Sequence, residues 1–472
     1  MSSKINSNEL FEKKIQLKKS KFKEVKGVFL EWSLRSNLDC FTKIFEYQNN
    51  TLAKLFWLIV LLASSGFTFW SISRIVLEYL NYEIVSKIGM IYENPTKFPT
   101  VTICDNNPFT SADAERYFEV ISKTIDLKPN DPNFFRVAKM TASIPSDEIK
   151  KRLGFNLSDK VTFCLFSGQE CKASDFSWYW SFDYGNCFQF NSGFNLTNHK
   201  VDLLNGQSGQ DFGLQLTLYP LENMNKYPST ADAGLSVFVH NNSWRPLKSE
   251  SVFAKPGEKT HILVKRTFTH LLSYPFSKCQ DLTRYSSKFY DFIKKSNQAY
   301  RQTECVGLCL QELSIQMCGC IFSAYPHTNA MTARFCLNKT DWLCFKDLYF
   351  NFRPEECIKT WCPLECDSIQ YDLTVSSLVS PTIQYYNNLA YRETKVKNLT
   401  YESFKSMMVQ LNVYYTSLYI TEISYSPKIS EFELFSQIGG TLSCFVSLSI
   451  FTLFEIIEIL VLITHAIIFK ST

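Results

Sequence analysis

Only six histidines occur in 472 residues, and none sits in an H-E-x-x-H or beside a G-x-S-x-G context, so hydrolytic chemistry has little to stand on. His199, His240, His261 and His270 are expected to be structural residues near strands, and no catalytic residue is assigned. The 16 cysteines contain no C-x-x-C knuckle. Structural zinc is therefore disfavoured even where Cys305, Cys309, Cys318 and Cys320, or Cys357, Cys362 and Cys366, lie close together. No metal or cofactor is expected. There is no repeat and no low-complexity tract, which argues against a string of modules. The net charge is only +4, and the basic cluster at residues 13–26 adjoins an apolar segment, where inner-leaflet phosphates account for it better than nucleic acid does. No short apolar stretch follows the initiating Met, so a cleavable signal peptide is not expected.

What is present is concentrated in two apolar runs. Leu55 to Ser73 is 19 residues without a charge, and at about 1.5 Å per helical residue this matches a hydrocarbon core of roughly 30 Å. The second run is uncharged from Leu434 to Phe454 and continues past Glu455 and Glu458 to Ile463. Residues 1–54 carry 11 Lys and Arg against 6 acidic residues, a net +5, so the positive-inside rule places the N-terminus in the cytosol. The expected organisation is a cytosolic tail over 1–54, a transmembrane helix over 55–77, an extracellular domain over 78–430, a pore-lining transmembrane helix over 431–465 and a cytosolic stub over 466–472.

The cysteines fit that topology, because disulfides persist outside the cell. Only Cys40 and Cys444 fall outside the expected loop, leaving 14, an even number suited to complete pairing. Five N-x-S/T sequons, at Asn156, Asn195, Asn241, Asn338 and Asn398, lie within the loop. A sixth, at Asn49, lies in the tail and is expected to be silent. Period-2 stretches at Phe212–Tyr219, Gly234–His240, Thr260–Arg266 and Val413–Ser424 read as strands, and Ala112–Ile125, Arg284–Ser296 and Glu304–Gln316 read as helices. The loop is expected to form one α+β ectodomain.

Six motifs in order make the chain resemble the degenerin and epithelial sodium channel superfamily, which includes acid-sensing and peptide-gated channels. They are FPTVTICDNNPF (98–109), YGNCFQFNSG (184–193), AGLSVFVH (233–240), ECVGLCLQELSIQMCGC (304–320), WCPLEC (361–366) and QIGGTLSCFVSLSIFTLFEIIE (437–458). The resemblance implies a trimeric channel with two membrane helices flanking one large disulfide-rich extracellular domain. It also implies the pairs Cys104–Cys187, Cys164–Cys171, Cys279–Cys366, Cys305–Cys362, Cys309–Cys357, Cys318–Cys344 and Cys320–Cys336. Spacing alone does not choose among the possible pairings.

For the pore, Ser447, Leu448 and Ser449 align with the family's selectivity filter, where small residues bring oxygen dipoles to a dehydrated cation. The alternative is that these serines merely bond to carbonyls of their own helix. Glu455 and Glu458 are three apart, on one helical face, and in a trimer would form acidic rings at the inner mouth. Snorkelling at the membrane boundary is the competing role for Glu458. Ser436, Gln437, Gly439 and Gly440 match the outer gate, with Ser436 at the degenerin position. Ahead of the first span, where the family has His-Gly, this chain has Ser36 and Asn37.

The function expected is a ligand-gated cation channel subunit in the plasma membrane, sodium-selective or non-selective, amiloride-sensitive, with both termini cytosolic. Its expected partners are Na+, an extracellular neuropeptide, the bilayer and same-family subunits in a homo- or heterotrimer. Proton gating requires acidic pairs in the loop. Asp175, Asp183, Glu365 and Asp367 are candidates, with a solvated surface as the preferred reading. Constitutive or mechanical opening, and a non-conducting cysteine-rich receptor, complete the alternatives.

Overall fold

The computed structural model describes residues 25–36, 39–47, 50–193, 203–221, 232–242, 245–283, 285–296, 298–327, 333–392, 396 and 398–469. Asn37, Asn49, Asn195 and His199, each singled out above, lie outside them. The chain forms two compact units, one from the described parts of Met1–Val85 and Ser426–Thr472, the other from Ser86–Tyr425.

In the first unit the uncharged run lies inside a helix, Thr51–Leu80, that exceeds it at both ends; the Asn50 side chain caps it by accepting from the Ala53 amide at 3.3 Å. Among the described residues this is the one helix long and apolar enough to cross a membrane by itself. The second apolar segment differs from the single helix expected over 431–465. It is two helices, Glu431–Val446 and Ile450–Phe469, bent by 68° at a short break. The cause is local. Ser447 adopts the left-handed conformation (φ 57°, ψ 22°), which ends the first helix, and the Leu448 amide turns back to the Leu442 carbonyl at 3.2 Å. Ser430 and Glu433 form a reciprocal capping box at the start of Glu431–Val446. The Phe67 and Phe445 rings, 4.7 Å apart, pack that helix on Thr51–Leu80.

The second unit is α+β and dominated by two sheets. The larger follows the order Ile84–Tyr92, Tyr419–Pro427, Glu258–His270, Val409–Tyr415, Leu214–Leu218, Val161–Phe166, Gln169–Glu170, and Asp367–Val379 covers the other edge of Glu258–His270. The alternating run Val413–Ser424, expected as one strand, is split between Val409–Tyr415 and Tyr419–Pro427. Both run parallel to Glu258–His270, end to end along one edge, and the Thr416 amide bonds to the Val264 carbonyl where pairing breaks. The smaller sheet is Ser251–Ala254, Leu235–His240, Thr100–Asp105, Gly185–Phe190 and Phe176–Ser181. Its strands Thr100–Asp105 and Leu235–His240 are buried at every position, polar ones included, so Thr100, Thr102, Asp105, Ser236 and His240 are buried beside the apolar residues. Side chains of the two sheets share one core containing Val101, Ile103, Leu214, Leu216, Val237, Ile262 and Val413. At Gly213 a Cβ would sit 2.1 Å from the Val413 carbonyl oxygen, so only glycine permits that approach.

The seven disulfides join the same pairs that the resemblance implies. Cys104 and Cys187 are directly opposed across neighbouring strands. Two of the others tie the helix Gln302–Cys318 to Lys339–Asn351 (Cys318–Cys344) and to Pro354–Thr360 (Cys309–Cys357), while Cys305 bonds to Cys362 just past the latter helix and Cys320 to Cys336 just ahead of the former; cysteines are among the buried residues of both clusters there. Cross-links of this kind contribute on the order of 2–4 kcal/mol each.

Candidate functional site

The break at residues 447–449 is held by its own hydroxyls. Thr452 Oγ1 accepts from the Ser449 amide at 2.8 Å and donates to the Ser449 carbonyl at 2.6 Å, while Ser449 Oγ accepts from the Thr452 amide at 3.4 Å. Thr452 is buried, whereas Ser449 is exposed and Ser447 and Leu448 are half-buried. A bent, hydroxyl-rich turn between two apolar helices leaves backbone and hydroxyl oxygens outside the regular helical ladder. Thr452 was not singled out from sequence, although Ser449-x-x-Thr452 is a cap spacing that marks it.

One turn further, the Glu455 carboxylate accepts from Ser36 Oγ at 3.2 Å, and the Glu455 carbonyl accepts from the Trp32 indole at 3.1 Å. Both donors come from the helical stretch 25–36, ahead of the first apolar helix. Glu458 is exposed. Ser436, Gln437, Gly439 and Gly440 all lie on Glu431–Val446 and are exposed, and a Cβ at either glycine would meet nothing within 4 Å. That face is open to a second helix. Cys444, on the same helix, is an exposed free thiol.

Where Thr51–Leu80 ends and Glu431–Val446 begins, Lys428 Nζ lies 2.8 Å from Glu78 and 2.8 Å from Glu83, and its amide bonds to the Glu83 carbonyl. The hydrogen bond and charge of Lys428 hold the Glu78 carboxyl below its usual range. Lys428 is a second residue that sequence reading passed over; a lone cation just before a helix cap was the available signal.

In the second unit, a cavity of about 1780 Å³ is walled by Trp178, Tyr179, Trp180 and Tyr325, with Asp183 and Arg245 among its charged residues. Glu304, which also lines it, has its carboxyl pushed up by burial, opposed by Arg245 and Arg301. Beside it Lys139 is buried, donates to the Asp183 carbonyl at 2.9 Å, and is pushed down to about 8 by that burial.

The loop carboxylates engage separate partners. Asp175 accepts from the Lys172 amide, Glu365 from the Gln302 amide, and Asp183 lies 3.5 Å from Lys248. Asp367 is different: its Oδ1 is 2.7 Å from His270 Nδ1, while His270 Nε2 is 3.4 Å from Glu422. His240 is structural, between Thr102 Oγ1 and the Asn241 carbonyl at 2.8 Å each, and burial pushes it down to about 4. Among the described residues no His, Cys, Asp and Glu cluster can hold a metal. At His270 the two ring nitrogens point apart, so the three groups do not converge. Asn156, Asn338 and Asn398 are exposed and Asn241 is half-buried.

A family model described as amiloride-sensitive sodium channel matches residues 33–459. The chain is 26% identical to the bile acid-sensitive ion channel of Mus musculus, over 87% of this chain and 82% of that one. It is 23% identical to the FMRFamide-activated amiloride-sensitive sodium channel of Cornu aspersum (93% and 83%) and 24% identical to human acid-sensing ion channel 2 (90% and 84%). A solved proton-activated chloride channel aligns with 87% of this chain at a TM-score of 0.27 and 7% identity, too distant to bear on the fold.

Proposed function

Because the chain belongs to the amiloride-sensitive sodium channel family, we propose that it is one subunit of a ligand-gated cation channel of the plasma membrane, conducting Na+ selectively or among other cations. The observation that carries this reading is the hydroxyl-lined break at Ser447, Leu448 and Ser449 between two apolar helices, followed within about three turns by Glu455 and Glu458. In this reading the break is the selectivity filter, the two carboxylates draw cations to the inner mouth, and Ser436, Gln437, Gly439 and Gly440 form the gate. The chain crosses the bilayer twice, the second time as the broken pair, with both termini cytosolic. The basic tail, the disulfides and the sequons at Asn156, Asn195, Asn241, Asn338 and Asn398 all support that orientation.

Three same-family subunits, identical or mixed, surround the pore, and the open face at Gly439 and Gly440 is where neighbouring helices meet. The ligand is a short extracellular peptide. Support comes from the FMRFamide-activated relative and from the aromatic and charged cavity beside Trp178, which is large enough for several residues of chain.

A second reading, proton gating, has its own observation in His270, which lies between Asp367 and Glu422. A protonated imidazole donates to both carboxylates, a neutral one to only one of them.

Voltage clamp of cells expressing Ser436→Val, with external Na+ exchanged for a large impermeant cation, tests the channel reading without the stimulus. An inward current lost on the exchange supports it. Silence at verified surface expression, persisting on co-expression with related subunits, sinks it. Peptide and pH 5 steps on the parent chain then separate the two gating readings.

A further inference from the structure

We propose that Ser36 is a positioning residue for permeation, fixing the Glu455 carboxylate from the segment ahead of the first apolar helix; this rests on the inner-mouth reading of Glu455. The Ser36 hydroxyl donates to Glu455 Oε2 at 3.2 Å. The residue that carries it is itself held. The Ser36 amide donates to the Trp32 carbonyl at 2.9 Å, the Ser36 carbonyl accepts from Thr42 Oγ1 at 2.9 Å, and the side chain is buried, 8% exposed. Trp32 adds a contact that side-chain loss at position 455 does not remove, since its indole donates to the Glu455 backbone carbonyl at 3.1 Å.

The physical consequence concerns where a charge sits. A glutamate side chain samples many rotamers, and immobilising it costs entropy unless a bond compensates. A hydroxyl donating to a carboxylate is a charge-assisted contact, here a long one at 3.2 Å. With Ser36 present the carboxylate is kept at one radius from the conduction path, and the potential it contributes there is constant. Without Ser36 that restraint is lost, the charge is less closely confined, and its focusing effect is weakened. The Trp32 anchor leaves the helix docked when Ser36 is changed, so an effect of Ser36 is an effect on the carboxylate.

The test compares unitary currents, which do not depend on how many channels reach the surface, in the Ser436→Val background at low and high Na+. Ser36→Ala is expected to lower the low-salt unitary current on the order of two-fold, with a smaller loss at high salt where the mouth charge is screened. Ser36→Thr keeps the hydroxyl and is expected to restore the parent value. Glu455→Gln is expected to show the larger loss with the same salt dependence, and adding Ser36→Ala to it is expected to change nothing further. If Glu455→Gln lowers the current while Ser36→Ala matches the parent, or if the two losses add, the positioning role is overturned and the mouth reading stands. If Glu455→Gln leaves the unitary current unchanged at both concentrations, the mouth reading fails and the positioning role fails with it.

Discussion

Lys428 Nζ lies 2.8 Å from Glu78 Oε1. Lys428 stands two residues before the Ser430 cap of Glu431–Val446, and Glu78 lies in the last turn of Thr51–Leu80, so one ion pair joins the ends of both apolar segments within a single compact unit. Glu83 shares the same ammonium.

Charge reversal tests that junction. Lys428→Glu gathers three carboxylates, and the detergent-solubilised protein is expected to melt at a lower temperature than the parent; Glu78→Lys in the same chain restores one pair and part of the loss. Acid has a related effect. The Glu78 carboxyl is held below its ordinary 4.5, mainly by the Lys428 hydrogen bond, so its contribution is present above that pH and fades as pH falls through the folded-state value. A double variant no more stable than Lys428→Glu alone would contradict the pairing.

Asp105 carries a pH dependence of opposite sign. It is 2% exposed at the end of a fully buried strand, its Oδ1 accepts from the Asn107 amide at 2.8 Å, and burial pushes its carboxyl from 3.8 to about 7. A folded value above the unfolded one means that the native state holds the extra proton. The stabilisation is complete below the unfolded value and is lost as pH rises toward 7, on the order of 4 kcal/mol in all. Asp105→Asn keeps the acceptor and removes the titration. Melting curves from about pH 4.5 to pH 8 are expected to flatten, with the variant gaining most at the alkaline end. Equal slopes for parent and variant would sink the assignment.

Asn338 combines two roles that separate by substitution. Its Oδ1 caps Lys339–Asn351 by accepting from the Asp341 amide at 2.8 Å and takes the Thr340 hydroxyl at 2.6 Å, while a glycan would attach through the nitrogen. Asn338→Asp is expected to remove one glycan from the gel mobility and leave thermal stability near that of the glycan-stripped parent. Asn338→Gln is expected to remove the same glycan and cost about 1 kcal/mol more through the lost cap. Unchanged mobility for both would show that the sequon is unused.

Much of this was legible where the signal is local. The helix Ala112–Ile125 follows its amphipathic period and a Ser111 cap, and the strand Leu235–His240 lies within the period-2 stretch Gly234–His240. The Val413–Ser424 alternation reads as one strand because period 2 reports face and not partner, whereas the break depends on a neighbour at Val264 far away in sequence. The His270 arrangement was equally hidden. It needs the register that sets His270 opposite Asp367, 97 residues on, and a third strand carrying Glu422. Disulfide partners came from resemblance, because seven pairs among 14 cysteines exceed what spacing decides. In the apolar segment, hydropathy gives length without direction, so a 68° bend at three residues left no trace in it; only the Ser-Leu-Ser motif marked the place.

The bend yields the most direct test of the filter. Ser447 sits at φ 57°, a conformation that costs a side-chain-bearing residue up to about 1 kcal/mol relative to glycine, and Ser449 is pinned by Thr452 through its amide, its hydroxyl and its carbonyl. Ser447→Gly relieves the first constraint without moving a polar atom of Ser449, so ion preference is expected to persist. Thr452→Val keeps the shape and removes the Thr452 hydroxyl that contacts both the Ser449 amide and its carbonyl. On the proposed filter reading, releasing that carbonyl frees an oxygen that would face the ion, and discrimination that depends on oxygen position weakens. In the Ser436→Val background, bi-ionic reversal potentials for Na+ against K+ are expected to match the parent in Ser447→Gly and in Thr452→Ser, and to move toward zero in Thr452→Val. A Thr452→Val channel with the parent's reversal potential would mean that ions are selected elsewhere, and that the break at residues 447–449 serves only to turn the helix.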